Sequence, residues 1–221
     1  MTLSVVIPTL NAAATLSATL ASLHGADEAV ISDGGSSDST CDIARSFGAK
    51  VVRSVSGRGR QLAAGAEQAN GDWLLFLHAD TTLEPNWQAV VDGYMADPEN
   101  QSRAAAFRFA LDDPSASAKR LERMVAWRTK ALALPYGDQG LLIKRDFYRS
   151  LGGFRALPLM EDVDLVRRIG RRRLATLPIS ARTSAARWRA QGWATRSFRN
   201  VLCLSLYFLG VPPRLLHRLY G

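Results

Sequence analysis

The run LLFLHAD, residues 74–80, decides how this chain is read. Four apolar residues describe a buried strand, and the strand stops abruptly at His78-Ala79-Asp80. A polar pair in that place is either a plain turn or the floor of an active site. The residues before it narrow the choice. SVVIP (4–8), EAVIS (28–32), KVVRS (50–54) and DWLLFL (72–77) are short apolar runs of strand length. Helical patterns separate them. Leu16, Leu20 and Leu23 recur at helical spacing after Asn11, which suits a helix N-cap. SDSTCDIARSFG (37–48) closes on Gly48, and RQLAAGAEQANG (60–71) is small enough to lie close against a sheet. Alternating strands and helices with short connections predict an α/β fold, with a mostly parallel sheet and helices on both faces. Ligands in such sheets bind beyond the carboxyl ends of the strands. Asp33 and the His78–Asp80 segment both fall there.

The second half of the chain is less regular. A helix is expected over 84–97, a strand over 105–111, a helix over 115–134, a strand over 140–145 and a helix over 160–170. No internal repeat or low-complexity linker interrupts it. The expected organisation is one domain over 1–190 with a basic, helical extension over 191–221.

Charge is distributed unevenly. The net charge is +8, yet Asp164 is the last acidic residue. Residues 165–221 hold 12 arginines, so residues 1–164 carry 28 − 12 = 16 Lys/Arg against all 20 Asp/Glu. A cationic C-terminal quarter suits an anionic partner or is a solvated basic surface. VLCLSLYFLGV (201–211) is too short for a bilayer span, which needs about 20 residues. Together with RLLHRLY it reads as amphipathic basic helices that either lie on an anionic membrane, pack on the domain or form a homodimer contact. Nucleic acid is the competing partner for so many arginines. No RRM, helix-turn-helix or zinc motif accompanies them, and apolar residues interleave them, so no nucleic-acid partner is expected. Cys41 and Cys203 lie far apart with no CxxC or Cys/His cluster. That argues against a disulfide framework or a zinc site, and it fits a reducing compartment. No signal peptide is visible at the N-terminus, and a cytoplasmic location, or one peripheral on the inner face of the cell membrane, is expected.

Several residue groups are suited to chemistry. Asp80 either starts a turn or, with His78, ligates a divalent cation such as Mn²⁺ or Mg²⁺ bridged to phosphate. Asp33 sits beside Gly34 and Gly35, which free the backbone to approach a ligand. SGRGRQ (56–61) places Arg58 and Arg60 in a flexible loop before a helix, suited to phosphate oxygens. It is neither a P-loop nor a complete dinucleotide fingerprint. Glu161-Asp162 opens a helix, as reactive carboxylates or as ordinary helix-end acids. Gly137-Asp138-Gln139-Gly140 is a loop whose two glycines let a ligand approach the backbone, or a capped turn. Arg187-Trp188 lies on the cationic tail, where a Trp by default packs.

Taken in order, Pro8-Thr9-Leu10-Asn11, Asp33-Gly34-Gly35-Ser36-Ser37-Asp38, Asn70-Gly71-Asp72 leading into FLHAD, and Glu161-Asp162 resemble a family 2 glycosyltransferase of the GT-A fold. More narrowly, GRGRQLAAGA, GDWLLFLHADT, GDQGLLIKRDFYRSLGGF, EDVDLVRRI and TSAARW resemble the bacterial group known as radical-SAM/selenodomain-associated transferases. The likeness runs from Ser4 to about Gly210. It implies a nucleotide-diphosphate sugar donor. Asp33 would contact the base, aided by Pro8, Thr9 and Asn11, with Arg58, Arg60 and Arg187 toward the phosphates. His78-Ala79-Asp80 stands where the family has Asp-x-Asp, so Asp80 would hold Mn²⁺ or Mg²⁺ and His78 replaces the first Asp. Asp162 would be the general base of an inverting transfer, beside Glu161, Gly137, Asp138, Gln139 and Trp188 on the acceptor side. Ser184 replaces the Gln of the processive Gln-x-x-Arg-Trp motif, which argues against polymerisation. The acceptor would be a hydroxyl or a lipid phosphate such as polyprenyl phosphate.

Overall fold

The computed structural model describes residues 1–220. One eight-stranded sheet, ordered β3-β2-β1-β4-β7-β6-β8-β5, organises them. The strands are β1 (Leu3–Thr9), β2 (Glu28–Asp33), β3 (Lys50–Arg53), β4 (Trp73–Phe76), β5 (Thr81–Leu83), β6 (Ala104–Leu111), β7 (Leu141–Lys144) and β8 (Leu174–Thr183). The first four are mutually parallel, with Val6 opposite both Val30 and Phe76. Beyond β4 the sheet becomes mixed: β7 is antiparallel to β4 and to β6, β6 runs parallel to β8, and β5 is antiparallel to β8.

Ten helices accompany it: α1 (Ala13–Ala21), α2 (Thr40–Ser46), α3 (Arg58–Gln68), α4 (Trp87–Ala96), α5 (Ala116–Leu132), α6 (Arg145–Ser150), α7 (Glu161–Ile169), α8 (Ala186–Gln191), α9 (Trp193–Phe208) and α10 (Pro213–Tyr220). They cover both sheet faces. On one, Val5, Ile7 and Leu75 pack with Leu16 and Leu20 of α1 and Trp87 and Val91 of α4. On the other, Val6, Leu74 and Phe76 pack with Leu62 of α3, Phe147 of α6 and Leu165 of α7. Two buried faces explain why β1 and β4 read as continuous apolar runs rather than alternating ones.

Three expectations are corrected. Strands β5 and β8 were not foreseen. β5 is three residues long, and β8 contains Pro178 at the point where its register with β6 slips between Ala106 and Arg108. A proline at such an irregularity costs no ladder hydrogen bond, so the strand survives a residue that usually breaks one. The second correction concerns Arg58 and Arg60, which lie in the first turn of α3 rather than in a loop before it. Third, Asn11 does not cap α1. Its backbone is left-handed (φ +50°), and the free N–H groups of Ala12 and Ala13 donate instead to Thr40 Oγ1 and Asp38 Oδ2 across the β2–α2 loop.

The C-terminal helices pack on the domain. Cys203 of α9 and Leu216 of α10 are fully buried against Leu134, Leu159, Val163 and Val166. Among the described residues, no helix is long and apolar enough to cross a membrane.

Candidate active site

The loops after β1 and β2 form one end of the site. Asp33 is 2% exposed at the carboxyl end of β2. Its carboxylate accepts from Thr9 Oγ1 at 3.0 Å, the Gly35 and Ser36 N–H groups at 2.9 Å each, and Ser36 Oγ at 2.5 Å. Burial pushes its pKa up, but these donors outweigh burial and hold it below the ordinary carboxylate value. Asn11 joins the two loops: its Oδ1 accepts from the Ser37 N–H at 2.9 Å, and its own N–H donates to Ser36 Oγ at 2.8 Å. Pro8 stands opposite Ser32 across the β1–β2 pair. Gln61 of α3 was missed by the sequence reading. It is 4% exposed, and its Nε2 donates to Thr9 O at 2.7 Å and Ser32 O at 3.0 Å. A polar residue on the buried side of an Ala/Gly-rich helix was the available signal.

The other end lies beyond β4. Ala79 O accepts from Thr19 Oγ1 at 3.0 Å, and Asp80 O accepts from the Ser184 N–H at 3.0 Å, which ties the segment to α1 and to the end of β8. A short 3₁₀ turn, Gly137–Gln139, lies against this segment. The Gly137 N–H donates to Asp162 Oδ2 at 2.8 Å, while the Val163 N–H donates to Oδ1 at 2.8 Å. A Cβ on Gly137 would stand 2.6 Å from His78 Nε2 and 3.4 Å from Asp162 Oδ2. Only a residue without a side chain lets these two groups face each other across the turn. A cavity opens here between Phe76, His78, Tyr136, Gly137, Glu161 and Asp162.

The electrostatics of this end are unusual. Burial, with Arg58 and Arg187 adding to it, lowers the His78 pKa to about 4 against the opposing pull of Asp80 and Asp162. The imidazole is therefore neutral at pH 7, with a lone pair available for a cation or a hydroxyl. Burial also raises Asp138 to about 6. Arg128 and Arg58 oppose the rise, and Asp162 and Asp80 reinforce it. Asp138 Oδ1 is buried without a hydrogen-bond partner. Glu161 is 1% exposed, and burial raises its pKa even though the Arg58 guanidinium is paired with its Oε1. Its Oε2 has no partner. The first turn of α3 is pressed onto the loop before α7, since a Cβ on Gly59 would stand 2.3 Å from Arg155 O. That contact places Arg58 against Glu161.

The structure thus brings His78 and Asp162 together at Gly137, with Arg58, Asp80, Asp138, Glu161 and Arg187 near enough to act on them or on one another through their charges. Arg60 is exposed on the same turn as Arg58. Two expected acceptor-side residues stand elsewhere. Gln139 is 1% exposed and holds the turn to the scaffold: Nε2 donates to Phe107 O and Oε1 accepts from Thr129 Oγ1, both at 3.0 Å. Trp188 is 7% exposed in a cluster with Leu121 and Val125. It stacks on Trp193 with centroids 5.9 Å apart, and Arg196 lies 5.1 Å over its ring. Those contacts are those of a packing residue.

A divalent cation fits the donor set. Among the described residues no group of three or more His, Cys, Asp or Glu side chains is arranged to hold a metal. Asp80 and neutral His78 nevertheless offer one carboxylate and one imidazole, and Mg²⁺ or Mn²⁺ in phosphoryl sites completes its shell with substrate oxygens and water.

Residues 4–150 match the family model for Glycosyl transferase family 2. The chain belongs to glycosyltransferase family 2. A PGL/p-HBAD biosynthesis glycosyltransferase of Mycobacterium tuberculosis is 38% identical over 43% of this chain. The match takes in only 42% of that relative, so the chain spans well under two thirds of the curated relatives it matches. The fold is that of GT-A enzymes of known structure. S. aureus TarS 1–349 in complex with UDP-GlcNAc superposes with a TM-score of 0.66 at 16% identity, covering 83% of this chain and 58% of that one. Glucosyl-3-phosphoglycerate synthase of M. tuberculosis, in complex with Mn²⁺, UDP and glucosyl-3-phosphoglycerate, gives 0.57 at 20% identity, covering 83% and 70%.

Proposed function

We propose that this family 2 member is an inverting, metal-dependent glycosyltransferase that moves a sugar from a nucleotide diphosphate to an acceptor hydroxyl or lipid phosphate. The observation that carries this reading is the meeting of His78 and Asp162 at Gly137, beyond the carboxyl end of β4, with Asp80, Asp138, Arg58 and Arg187 near enough to act on them through their charges. Open α/β sheets bind ligands there. The solved relatives with UDP and Mn²⁺ or with UDP-GlcNAc support a nucleotide-sugar donor. The ordered motifs support membership of the radical-SAM/selenodomain-associated group.

The proposed division of labour is as follows. The base would lie against the loops held by Asp33 and Asn11, with Pro8 and Thr9 forming the floor. Asp80 with His78 would hold Mn²⁺ or Mg²⁺, which when bound supplies charge neutralisation at the donor diphosphate. Arg58, Arg60 and Arg187 add fixed positive charge around the leaving phosphate. Asp162, aimed by the Gly137 N–H, accepts the proton of the acceptor O–H. The acceptor oxygen forms a bond to the anomeric carbon as the carbon–phosphate oxygen bond breaks, and that electron pair leaves with the nucleoside diphosphate. Attack opposite the leaving group inverts the anomeric centre. A lipid-phosphate acceptor would be presented at the inner face of an anionic membrane.

The test is a thermal-shift panel of UDP, GDP, dTDP, CDP and ADP, each with and without Mn²⁺ or Mg²⁺, on the native chain and on Asp80→Ala. Stabilisation by one nucleotide only with metal, absent in the variant, is expected; binding beyond saturation by a hundredfold adds about 2.7 kcal/mol. Equal stabilisation of both proteins, or metal-independent stabilisation, would reject the assigned metal site.

A further inference from the structure

The C-terminal helix pair presents a face that the sequence pattern concealed. The arginines of α9 turn toward the domain: Arg196 and Arg199 both donate to Gln191 Oε1, at 2.8 and 2.5 Å, and Arg196 lies over the Trp188 ring. The outward stripe is Phe198, Val201, Leu202, Ser205, Phe208 and Leu209, without a charge in it. Phe198 is 70% exposed, Val201 62% and Leu209 80%. On α10, Leu216 is buried while Leu215 and Leu219 are exposed. Of the fourteen exposed large apolar residues among those described, seven lie between Phe198 and Leu219. A contiguous apolar face of this kind marks an interaction surface rather than ordinary scatter.

The rim of the stripe identifies its occupant. Arg214, His217 and Arg218 are exposed on α10, and the Arg167 guanidinium sits 5.1 Å from the Phe208 ring centroid. No acidic residue follows Asp164, so nothing on the tail can neutralise this ring of cations. A second copy docking by the same face would set arginines against arginines. An anionic bilayer offers what both parts need, lipid phosphates for the rim and acyl chains for the stripe. The opposite, inward side of the helix pair packs on the helix that carries Asp162. Val163 and Val166 of α7, the helix that opens with Glu161-Asp162, pack in the same cluster as Cys203, Tyr207 and Leu216.

We infer that α9 and α10 form an interfacial dock for an anionic membrane, which seats the Asp162 end of the site beside lipid headgroups. This rests on the transferase reading only for the acceptor class it implies, a lipid-anchored hydroxyl or phosphate; the docking itself does not.

The experiment is co-sedimentation of the full chain with phosphatidylglycerol-containing vesicles and with pure phosphatidylcholine vesicles, at low and physiological salt. The native chain is expected to sediment with the anionic vesicles only. The double variant Phe198→Glu/Leu209→Glu should lose at least fivefold in bound fraction at either salt, and Arg214→Glu/Arg218→Glu should lose severalfold in vesicle affinity, most of all at low salt, where the charges are least screened. The nucleotide thermal shift of both variants should match that of the native chain, which confirms their fold. Three outcomes would overturn the inference: no sedimentation with anionic vesicles, sedimentation indifferent to both variants, or a solution dimer that Phe198→Glu/Leu209→Glu dissociates. The last would assign the face to a second copy. Sedimentation without any nucleotide response would keep the dock and fail the transferase; a nucleotide response without sedimentation would do the reverse.

Discussion

Asp33 and Asp138 are both aspartates at the same edge of one sheet, and their surroundings could hardly differ more. Asp33 accepts four hydrogen bonds and is held below the ordinary carboxylate pKa. Asp138 has a buried oxygen with no partner and is raised to about 6. Glu161 repeats the second case, with one oxygen on Arg58 and the other unpartnered. The loops around Asp33 are a finished scaffold, whose charge is fully solvated by the protein. The cluster around Gly137 keeps carboxylates that a cation or hydrogen-bond donor would satisfy. Binding there can be stronger because the groups are already desolvated and positioned.

The largest effect that could break this contrast lies at Asp162. In Asp162→Asn the amide oxygen keeps one of the two N–H donors, Gly137 or Val163, and the other is lost at a cost of about 1 kcal/mol, so the fold should hold while proton transfer fails. Turnover should drop by about 10²–10⁴-fold. Near-native turnover with an unchanged melting temperature would show that the base is another group.

Asp33→Ala tests the finished side. It leaves the Thr9 hydroxyl and the Gly35 and Ser36 N–H groups without their acceptor, at a cost of about 1–3 kcal/mol for each group that stays buried and unpaired. A loss of about 3 kcal/mol in urea unfolding at pH 7 is expected. The Asp33 pKa is depressed in the folded chain, so its stabilisation is present above the unfolded value of 3.8 and is lost as pH falls through the folded value. The stability gap between native and variant should therefore close only in strong acid. A gap independent of pH would mean that packing, not charge, sets it.

Arg58→Gln sharpens the comparison from the unsatisfied side. It strips Glu161 of its ion-pair partner and leaves a buried carboxylate that must take up a proton. Because Arg58 is itself 37% exposed, the expected loss is about 1–2 kcal/mol, below the range for a fully buried pair. Glu161→Gln in the same background should recover most of it, and a double-mutant cycle measures the coupling. Additive losses would show that the two side chains act independently.

The two regions also differ in how much the sequence disclosed. The parallel half was legible because strands buried on both faces become continuous apolar runs, and Asp33 and Asp80 follow directly from where those strands stop. The second half was not. β8 carries Pro178 and alternates in burial, β5 is three residues long, and both are held by partners distant in sequence. Asp138 could be named as a site residue from its glycines, but its burial depends on Arg128, Thr183 and Asp162 converging from three elements. Gln61 and Gln139 show the opposite difficulty: the sequence marks each as a polar residue in an unusual place, but not that its amide donates to buried backbone carbonyls. Trp188 looked like a sugar platform because Arg187 precedes it, and only the fold reveals that Trp193 occupies its face.

The smallest effect separates the two aspartates most cleanly, because its sign is opposite. A group whose folded pKa is raised contributes stability below its unfolded value, 3.8 for Asp138, and loses it as pH rises through about 6. Asp138→Asn removes that loss. The variant should match the native chain at pH 4 and exceed it by about 1–2 kcal/mol at pH 7.5, less than the full shift would give because water screens the partly exposed side chain. Urea unfolding at the two pH values measures it. Adding Mn²⁺ with the stabilising nucleotide should narrow the difference at pH 7.5, since a cation held near Asp80 offsets the same crowding of carboxylates. A variant destabilised at pH 7.5 would show that the Asp138 charge supports the fold through Arg128, and the cluster around Gly137 would then be as finished as the loop around Asp33.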